Sequence, residues 1–407
     1  MNPSSLPFLV FFIVALLIFS SLSRPVHRRY FLSAVNLGFL VALIPNWQSW
    51  ASLVAFIFGS YGVLLLARRK VPTWLVVLSA AAFVVGFLFL KKYVFLGFLV
   101  PASLLDHAVE LIGISYMLFK FLHMAVDLRQ QQPLSLTLFG YVNYQLAFFT
   151  LIAGPIQRFN DFQKFWETMA PDNGDLRETL SAWNRILNGI LKMGLLAVAA
   201  QYLYEWAAGG LFQPQSTQAL LGRFAIYFYA YPVYLYFNFS GYTDIVLGCA
   251  KLFGLRLPEN FDRPYLARNV VDFWNRWHIT LTTWVRDYVF MTSYKWVVER
   301  FRWLAKGAGY ALTFSALLIV GIWHGSTLNF VVFGLLHGIG AMATQMYGAL
   351  LKSRLKQSGL KRYNQNQWIR GVAMATTFHF VCVSFLFFPA DLQLTLDRLQ
   401  IVADRLR

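Results

Sequence analysis

The chain has 407 residues, of which 58% are apolar and only 13% charged, and it carries a formal charge of +17. Soluble domains carry about 25% charged residues, so this chain has too little charge to cover a water-soluble globule and is placed in a bilayer. Its 35 Lys and Arg residues form no stripe between aromatics, which excludes nucleic acid. They fit cytoplasmic loops against anionic lipid head groups instead. The two cysteines, Cys249 and Cys382, sit in apolar segments and read as small buried hydrophobes, with no disulfide framework or Cys-rich metal site.

The first apolar run, Leu6 to Leu22, has no basic leader and no small-residue cleavage site, so it is predicted to be a retained membrane helix. Arg24, His27, Arg28 and Arg29 follow as a positive loop, which puts that loop in the cytoplasm and the N-terminus outside. A second hairpin runs from Phe31 through Pro45 and Asn46 to Ala67 and ends in Arg68, Arg69 and Lys70, again a cytoplasmic signal. Further apolar runs lie near 73–90, 93–105, 108–126, 141–156, 187–206, 219–237, 307–323, 327–350 and 371–389. Several are shorter than the ~20 residues a span needs and read as re-entrant or half-buried helices. Residues 157–186, with Asn160, Asp161, Asp172, Asp175 and Glu178, read as a surface loop with short helices. Residues 351–370, with Lys352, Arg354, Lys356, Lys361, Arg362 and Arg370, read as a cytoplasmic loop. The fold class is therefore all-α: a polytopic integral membrane protein of about 9 to 12 transmembrane helices plus re-entrant and interfacial ones. No internal repeat is visible, so a transporter built on inverted halves has no support.

Residues 258–290 break the pattern, because charges sit there among three tryptophans. On one helix Val270, Trp274, Trp277, Leu281, Trp284 and Tyr288 fall three and four apart, which makes an apolar stripe. Arg268, Asp272 and Arg276 fall four apart on another face and can pair as a structural ladder. An interfacial amphipathic helix explains the Trp residues and the charges. It does not explain His278, which borders the stripe; an ionisable group turned toward the membrane interior is a functional candidate. His324 follows a 17-residue uncharged apolar run, and Gly325 and Ser326 then break the helix. A histidine at such a break can face a water-filled cavity. His337 lies 13 residues later, about 220° round a continuous helix, so it is expected to pack or to support. His123 and His379 read as buried structural residues. No carboxylate or thiolate accompanies the histidines at ligand spacing, so no metal is expected.

Taken in order, a series of short words resembles the membrane-bound O-acyltransferase family over roughly residues 85–390. They are Gly-Ile-Ser-Tyr at 113–116, Ala-Gly-Pro-Ile-Gln-Arg at 153–158 and Phe-Ser-Gly-Tyr-Thr-Asp at 239–244. Asn-Phe-Asp-Arg-Pro-Tyr at 260–265, Asp-Phe-Trp-Asn-Arg-Trp-His at 272–278 and Trp-Val-Arg-Asp-Tyr-Val-Phe at 284–290 follow. Trp-His-Gly at 323–325, Phe-Gly-Leu-Leu-His-Gly at 333–338 and Thr-Phe-His-Phe-Val-Cys at 377–382 complete the series. Two envelope subgroups fit. The Ala-Gly-Pro-Ile and Thr-Phe-His-Phe-Val-Cys words look like the alginate O-acetylase type. The short chain, Ile-Ser-Tyr-Met-Leu-Phe-Lys at 114–120 and Arg-Asp-Tyr-Val-Phe-Met at 286–291 look like the D-alanyl transfer type. Asn238 stands where the acetylase type has Asp, which removes an acidic role there.

The resemblance implies a single membrane domain over 1–407, with N-terminal helices at 1–106, a catalytic core at 107–390 and a C-terminal tail at 391–407, arranged round a central tunnel. It implies His324 as the catalytic base and His278 as its partner, orienting substrate or stabilising the oxyanion. His337, Trp323, Trp277, Arg276 and Asp272 are supporting candidates. The implied reaction moves a small acyl group, acetyl ahead of D-alanyl, to a hydroxyl of a cell-surface polysaccharide or a teichoic-acid-like polymer. The donor is a cytoplasmic thioester, acetyl-CoA or an acyl carrier protein, acting as substrate, with no resident cofactor. Implied partners are membrane lipid and an extracytoplasmic transferase, and the location is the inner (plasma) membrane, crossed many times. Imidazole titrates near neutrality, and base catalysis contributes about 10²–10⁴-fold. No Gly-x-Ser-x-Gly elbow is present, so direct transfer is simpler than an acyl-enzyme. A transporter or flippase without chemistry, and a scaffold that recruits a partner enzyme, are the competing readings.

Overall fold

The computed structural model describes residues 5–44, 46–69, 71–93, 113–130, 134–169, 175–213, 216–389 and 391–407. Pro45, Lys70, Asp172, most of the run near 93–105, the start of the run at 108–126 and the boundary at 106/107 lie outside the described residues. Among the described residues the regular elements are helices, and Phe261 and Trp277 form an isolated antiparallel bridge. Six described helices are long and apolar enough to cross a membrane: Trp47–Arg68, Thr73–Leu90, Leu176–Gly210, Gly307–His324, Leu328–Arg354 and Gln367–Phe385. The all-α polytopic class expected from composition is what the chain adopts. The chain folds as two units, Met1–Leu191 with Gly241–Glu259, and Lys192–Ser240 with Asn260–Arg407.

The first unit begins with α1 (Leu6–Ser21), α2 (Pro25–Leu43), α3 (Trp47–Arg68) and α4 (Thr73–Leu90), followed by α5 (Ile114–Arg129). The positive loop expected after α1 is shorter than its sequence implied. Pro25 suits the first turn of a helix, where a missing N–H costs nothing, so α2 starts there and carries Arg28 inside. Arg28 is buried; its Nε donates to the Leu22 carbonyl at 2.7 Å, a second nitrogen donates to the Met169 carbonyl at 3.0 Å, and the guanidinium lies over the Phe19 ring. It ties off carbonyls that have no helical partner and is not a free lipid-facing charge.

α6 (Leu138–Leu146) ends early, so the run at 141–156 makes a short helix followed by turns and extended chain. Irregular backbone of this kind must be satisfied by protein. Lys120, itself buried, does this: its Nζ donates to the Tyr144 carbonyl at 2.8 Å and to Thr150 Oγ1 at 2.9 Å. Asn36 helps, accepting from the Phe148 N–H at 3.0 Å. α7 (Phe159–Thr168) buries Phe159, Phe162, Phe165 and Trp166, so only its polar face fits the surface loop expected there. α8 (Leu176–Leu191) packs Gly189 against Gly241 and Ile245, a close approach that only a missing side chain permits.

In the second unit α9 (Val198–Gly210) and the first part of α10 (Thr217–Leu252) lead to the short helices α11 (Val270–Arg276), α12 (Ile279–Val285) and α13 (Met291–Arg300). Two spans follow, α14 (Ala305–His324) and α15 (Leu328–Arg354), then α16 (Gln357–Gln365), α17 (Gln367–Phe385) and α18 (Leu392–Leu406). α14 and α15 meet backbone to backbone at Gly321 and Gly334. The expected C-terminal tail is helical, and its Val402 joins Ala207, Leu220, Tyr227 and Leu386 in a buried cluster. The expected cytoplasmic loop at 351–370 is largely helical, made of the end of α15, α16 and the start of α17.

Candidate functional site

The one helix expected to carry the stripe from Val270 to Tyr288 is broken in the middle. α11 ends at Arg276, and His278 sits at φ +46°, in the left-handed region where a side chain is strained. Strain of this kind persists only where the surroundings over-determine it. Here a short extended stretch does so: Ile279 N–H donates to the Asn260 carbonyl at 3.0 Å and Asp262 N–H to the Arg276 carbonyl at 2.9 Å. The kink turns both halves inward, so Val270, Trp274, Trp277, Leu281 and Trp284 are all buried. The apolar stripe holds from Val270 to Trp284, while Tyr288 at its end is only half-buried, and its register comes from two helices and a turn. Trp277 stacks on Phe273 and meets Phe261 edge-on, and so forms part of the wall that carries His278.

His278 is 1% exposed. Its Nδ1 lies 3.2 Å from Asn260 Oδ1, Phe239 meets its ring edge-on at 4.8 Å, and Trp323 is 6.3 Å away between centroids. Its Nε2 is buried with no protein partner among the described residues. His324, at the end of α14, is half-buried against Trp323 at 4.9 Å, Phe388 at 5.2 Å and Phe333 at 5.9 Å. Trp323 therefore lies beside both imidazoles, and His324 is within electrostatic reach of His278 and of His337.

His337, His123 and His379 are each engaged by the fold. His337 accepts from the Trp274 indole N–H at 3.1 Å and meets Ser384 Oγ at 2.8 Å, while the Ser384 hydroxyl points to the Val381 carbonyl. An indole only donates, so the His337 proton sits on Nε2 and both of its nitrogens are engaged. His123 is buried and likewise spent, between the Phe119 carbonyl and the Phe159 N–H. His379, expected to be buried, is exposed on α17 and pairs with the Tyr229 hydroxyl at 2.9 Å. Its helix presents residue 379 outward while residue 377 faces in, a distinction that an unbroken apolar run does not encode.

Asp272 accepts from Arg276 Nε at 2.8 Å and from the Arg268 backbone N–H at 3.0 Å, while Asn269 caps α11 by accepting from the Asp272 N–H. The expected ladder thus has one side-chain rung, and Arg268 joins through its backbone because it precedes the helix. The hydrogen bond to Asp272 holds the Arg276 guanidinium above its ordinary value. A separate apolar cavity of about 240 Å³ is lined by Trp274, Thr282, Arg286, Thr313, Val320 and Gln345, and neither His278 nor His324 lines it. Among the described residues no three His, Cys, Asp or Glu side chains are placed to hold a metal ion.

Asn260 opens the word at 260–265, and nothing in the sequence marks it for a role. Its contact with His278 spans 18 residues and an irregular turn, so no periodicity announces it. Ser384 was missed for the same reason.

Residues 30–387 match the membrane-bound O-acyltransferase family. The teichoic acid D-alanyltransferase of Bacillus subtilis (strain 168) is 29% identical, over 95% of this chain and 98% of that protein. The teichoic acid D-alanyltransferase of Streptococcus thermophilus is 28% identical, over 70% of this chain and 69% of the relative. A probable alginate O-acetylase of Pseudomonas fluorescens is 30% identical over 71% of this chain, and the match spans about half of that longer protein, 53%.

Proposed function

This chain belongs to the membrane-bound O-acyltransferase family and is an acyltransferase, and from that premise we propose that it moves a small acyl group from a cytoplasmic thioester to a hydroxyl of a cell-envelope polymer. Membership sets aside the transporter and scaffold readings. D-Alanyl is the acyl group best supported, because a teichoic acid D-alanyltransferase matches from end to end. Acetyl is the second reading, supported by the alginate O-acetylase match at similar identity but over half of that protein.

His278 and His324 are the proposed catalytic pair. The observation that carries this is a contrast within one fold: His123 and His337 spend both ring nitrogens on protein partners, whereas among the described residues His278 keeps Nε2 clear. Attack of a hydroxyl on a thioester carbonyl needs a group to take the hydroxyl proton and return it to the departing sulfur, and a free imidazole nitrogen does both. The donor, carried on a carrier protein or CoA, docks at the cytoplasmic side of the inner membrane, where basic residues attract phosphate or acidic surfaces. The acceptor arrives from outside, directly or through an extracytoplasmic partner. A constricted passage open to both faces, with the two histidines at its narrowest part, would serve both substrates.

The test is acyl transfer by purified protein in liposomes, given D-alanyl carrier protein or acetyl-CoA. His324→Ala should elute as a folded protein and lose at least about 10²-fold in rate, the least expected from losing one imidazole of a proton-transferring pair. Retention of more than a few per cent of activity would sink the role of His324. Transfer of acetyl with no transfer of D-alanine would reverse the order of the two readings.

A further inference from the structure

We propose that Asn260 is a positioning residue that locks His278 with its proton on Nδ1 and its lone pair on Nε2, which makes His278 the proton acceptor of the pair. This rests on the reading of His278 and His324 as the reacting site, and it changes the role of His278 from donor to acceptor.

Three groups converge on the Asn260 side-chain oxygen: the Thr280 backbone N–H at 3.1 Å, the Thr280 hydroxyl at 2.9 Å and His278 Nδ1 at 3.2 Å. A backbone N–H can only donate, so the atom facing Thr280 is the amide oxygen, and the flipped amide would set two N–H groups against each other. An amide oxygen only accepts, so His278 Nδ1 must carry a proton. The ring is buried, and no carboxylate is paired with it among the described residues, so a neutral ring is favoured over a cation. Nε2 then holds the lone pair.

The backbone enforces the same state. Asn260 is fixed on both sides of its side chain, because its carbonyl accepts from the Ile279 N–H while the next residue, Phe261, bridges to Trp277. The left-handed turn at His278 brings Nδ1 round to Asn260. A neutral imidazole protonated at Nδ1 cannot donate through Nε2, so it cannot stabilise an oxyanion from that atom. It can accept a hydrogen bond from the substrate hydroxyl. As the new C–O bond forms and the C–S bond breaks, the hydroxyl proton passes to Nε2 and then to the departing thiolate, which leaves as a thiol. The proton on His278 Nδ1 stays there throughout, donated to the Asn260 amide oxygen.

Three measurements test this. The first needs no activity: ¹⁵N spectra of ring-labelled protein in detergent, with His278→Gln to assign the signal. The expected wild-type ring is protonated at Nδ1 alone, and Asn260→Ala should give a mixture of tautomers. The second is turnover. Asn260→Ala should lose about 10²-fold or more in kcat, as expected for a misoriented base, with KM little changed. Asn260→Asp keeps an acceptor and should recover most of that loss.

The third is the pH profile of Asn260→Asp. The groups facing His278 are the rings of Phe239 and Trp323, the polar side chains of Asn260 and Thr280, and the titratable ring of His324. A carboxylate placed at 260 favours the imidazolium, and an opposite charge this close moves a pKa by about 1–3 units. The acid limb of kcat should therefore move to higher pH by at least about one unit. A wild-type ring protonated at Nε2 overturns the proposal whether or not the protein transfers acyl groups. An Asn260→Asp variant with an unmoved acid limb also overturns it. Loss of all transfer in wild type, with the Nδ1 tautomer intact, counts against the proposed reaction and leaves the lock standing.

Discussion

Gly321→Ala should damage the protein twice, in stability and in turnover. A Cβ on Gly321 would run into the Gly334 Cα, and it would lie 2.6 Å from the Gly334 nitrogen and 2.7 Å from the Phe330 carbonyl. Those atoms are backbone, so no rotamer change makes room. Carbon atoms rest about 3.5–4.0 Å apart, so α14 and α15 must separate by roughly 1 Å at the crossing. Overpacking of this kind costs about 1–3 kcal/mol, and a gap of that size forfeits about a quarter to a half of each dispersion contact it opens. Alanine returns about 1 kcal/mol of helix propensity, so the net loss is up to about 2 kcal/mol. Function should suffer more, because His324 lies one turn beyond Gly321 and His337 one turn beyond Gly334. A 1 Å misplacement at a reacting centre can cost about 10²-fold in rate. Thermal melting by fluorescence-detected chromatography and acyl transfer in liposomes read the two effects. Gly348→Ala is the control, since a Cβ there meets nothing within 4 Å. If Gly321→Ala melts and turns over like Gly348→Ala, the close crossing is not what sets the histidines.

Lys120→Met should lower the melting temperature, because the Tyr144 carbonyl and the Thr150 hydroxyl would each lose a buried partner, at about 1–3 kcal/mol apiece; unchanged melting would mean the loop at 147–158 stands without it. Asp272→Ala should lower yield without a selective kinetic defect, since it removes the shorter of the two Arg276 ion pairs, leaving Asp262 at 3.7 Å, and the acceptor for Arg268 N–H; a well-folded, inactive Asp272→Ala protein would bring the residue into the site. Cysteines at 278 and 324 should react with small thiol reagents and poorly with bulky ones if a narrow passage reaches both. Equal labelling by large and small reagents would count against a constriction.

Some features could be read from composition and spacing because they follow from local physics. The uncharged run before His324 had to be a membrane helix, and Gly325 and Ser326 ended it where expected. The Trp and Leu stripe at 270–284 had to be buried, and it is. The turn inside it escaped, because residues 274, 277, 281 and 284 keep the same spacing whether the helix runs on or is interrupted by one left-handed residue. Positive φ at a histidine has no sequence signature comparable to glycine, and here it is imposed by Asn260, Phe261 and Asp262 from outside the helix. The ladder Arg268–Asp272–Arg276 was half right for a related reason: helical spacing predicts a face, but the face exists only once the helix has begun, and Arg268 precedes its cap at Asn269. The histidines show the same divide. His278, His324 and His337 all stood out as polar groups in apolar surroundings, but which of them keeps a nitrogen for chemistry depends on partners far along the chain, Asn260 for one and Trp274 and Ser384 for another. Sequence periodicity places a side chain on a face; the tautomer of its ring is decided by whatever the fold brings to that face.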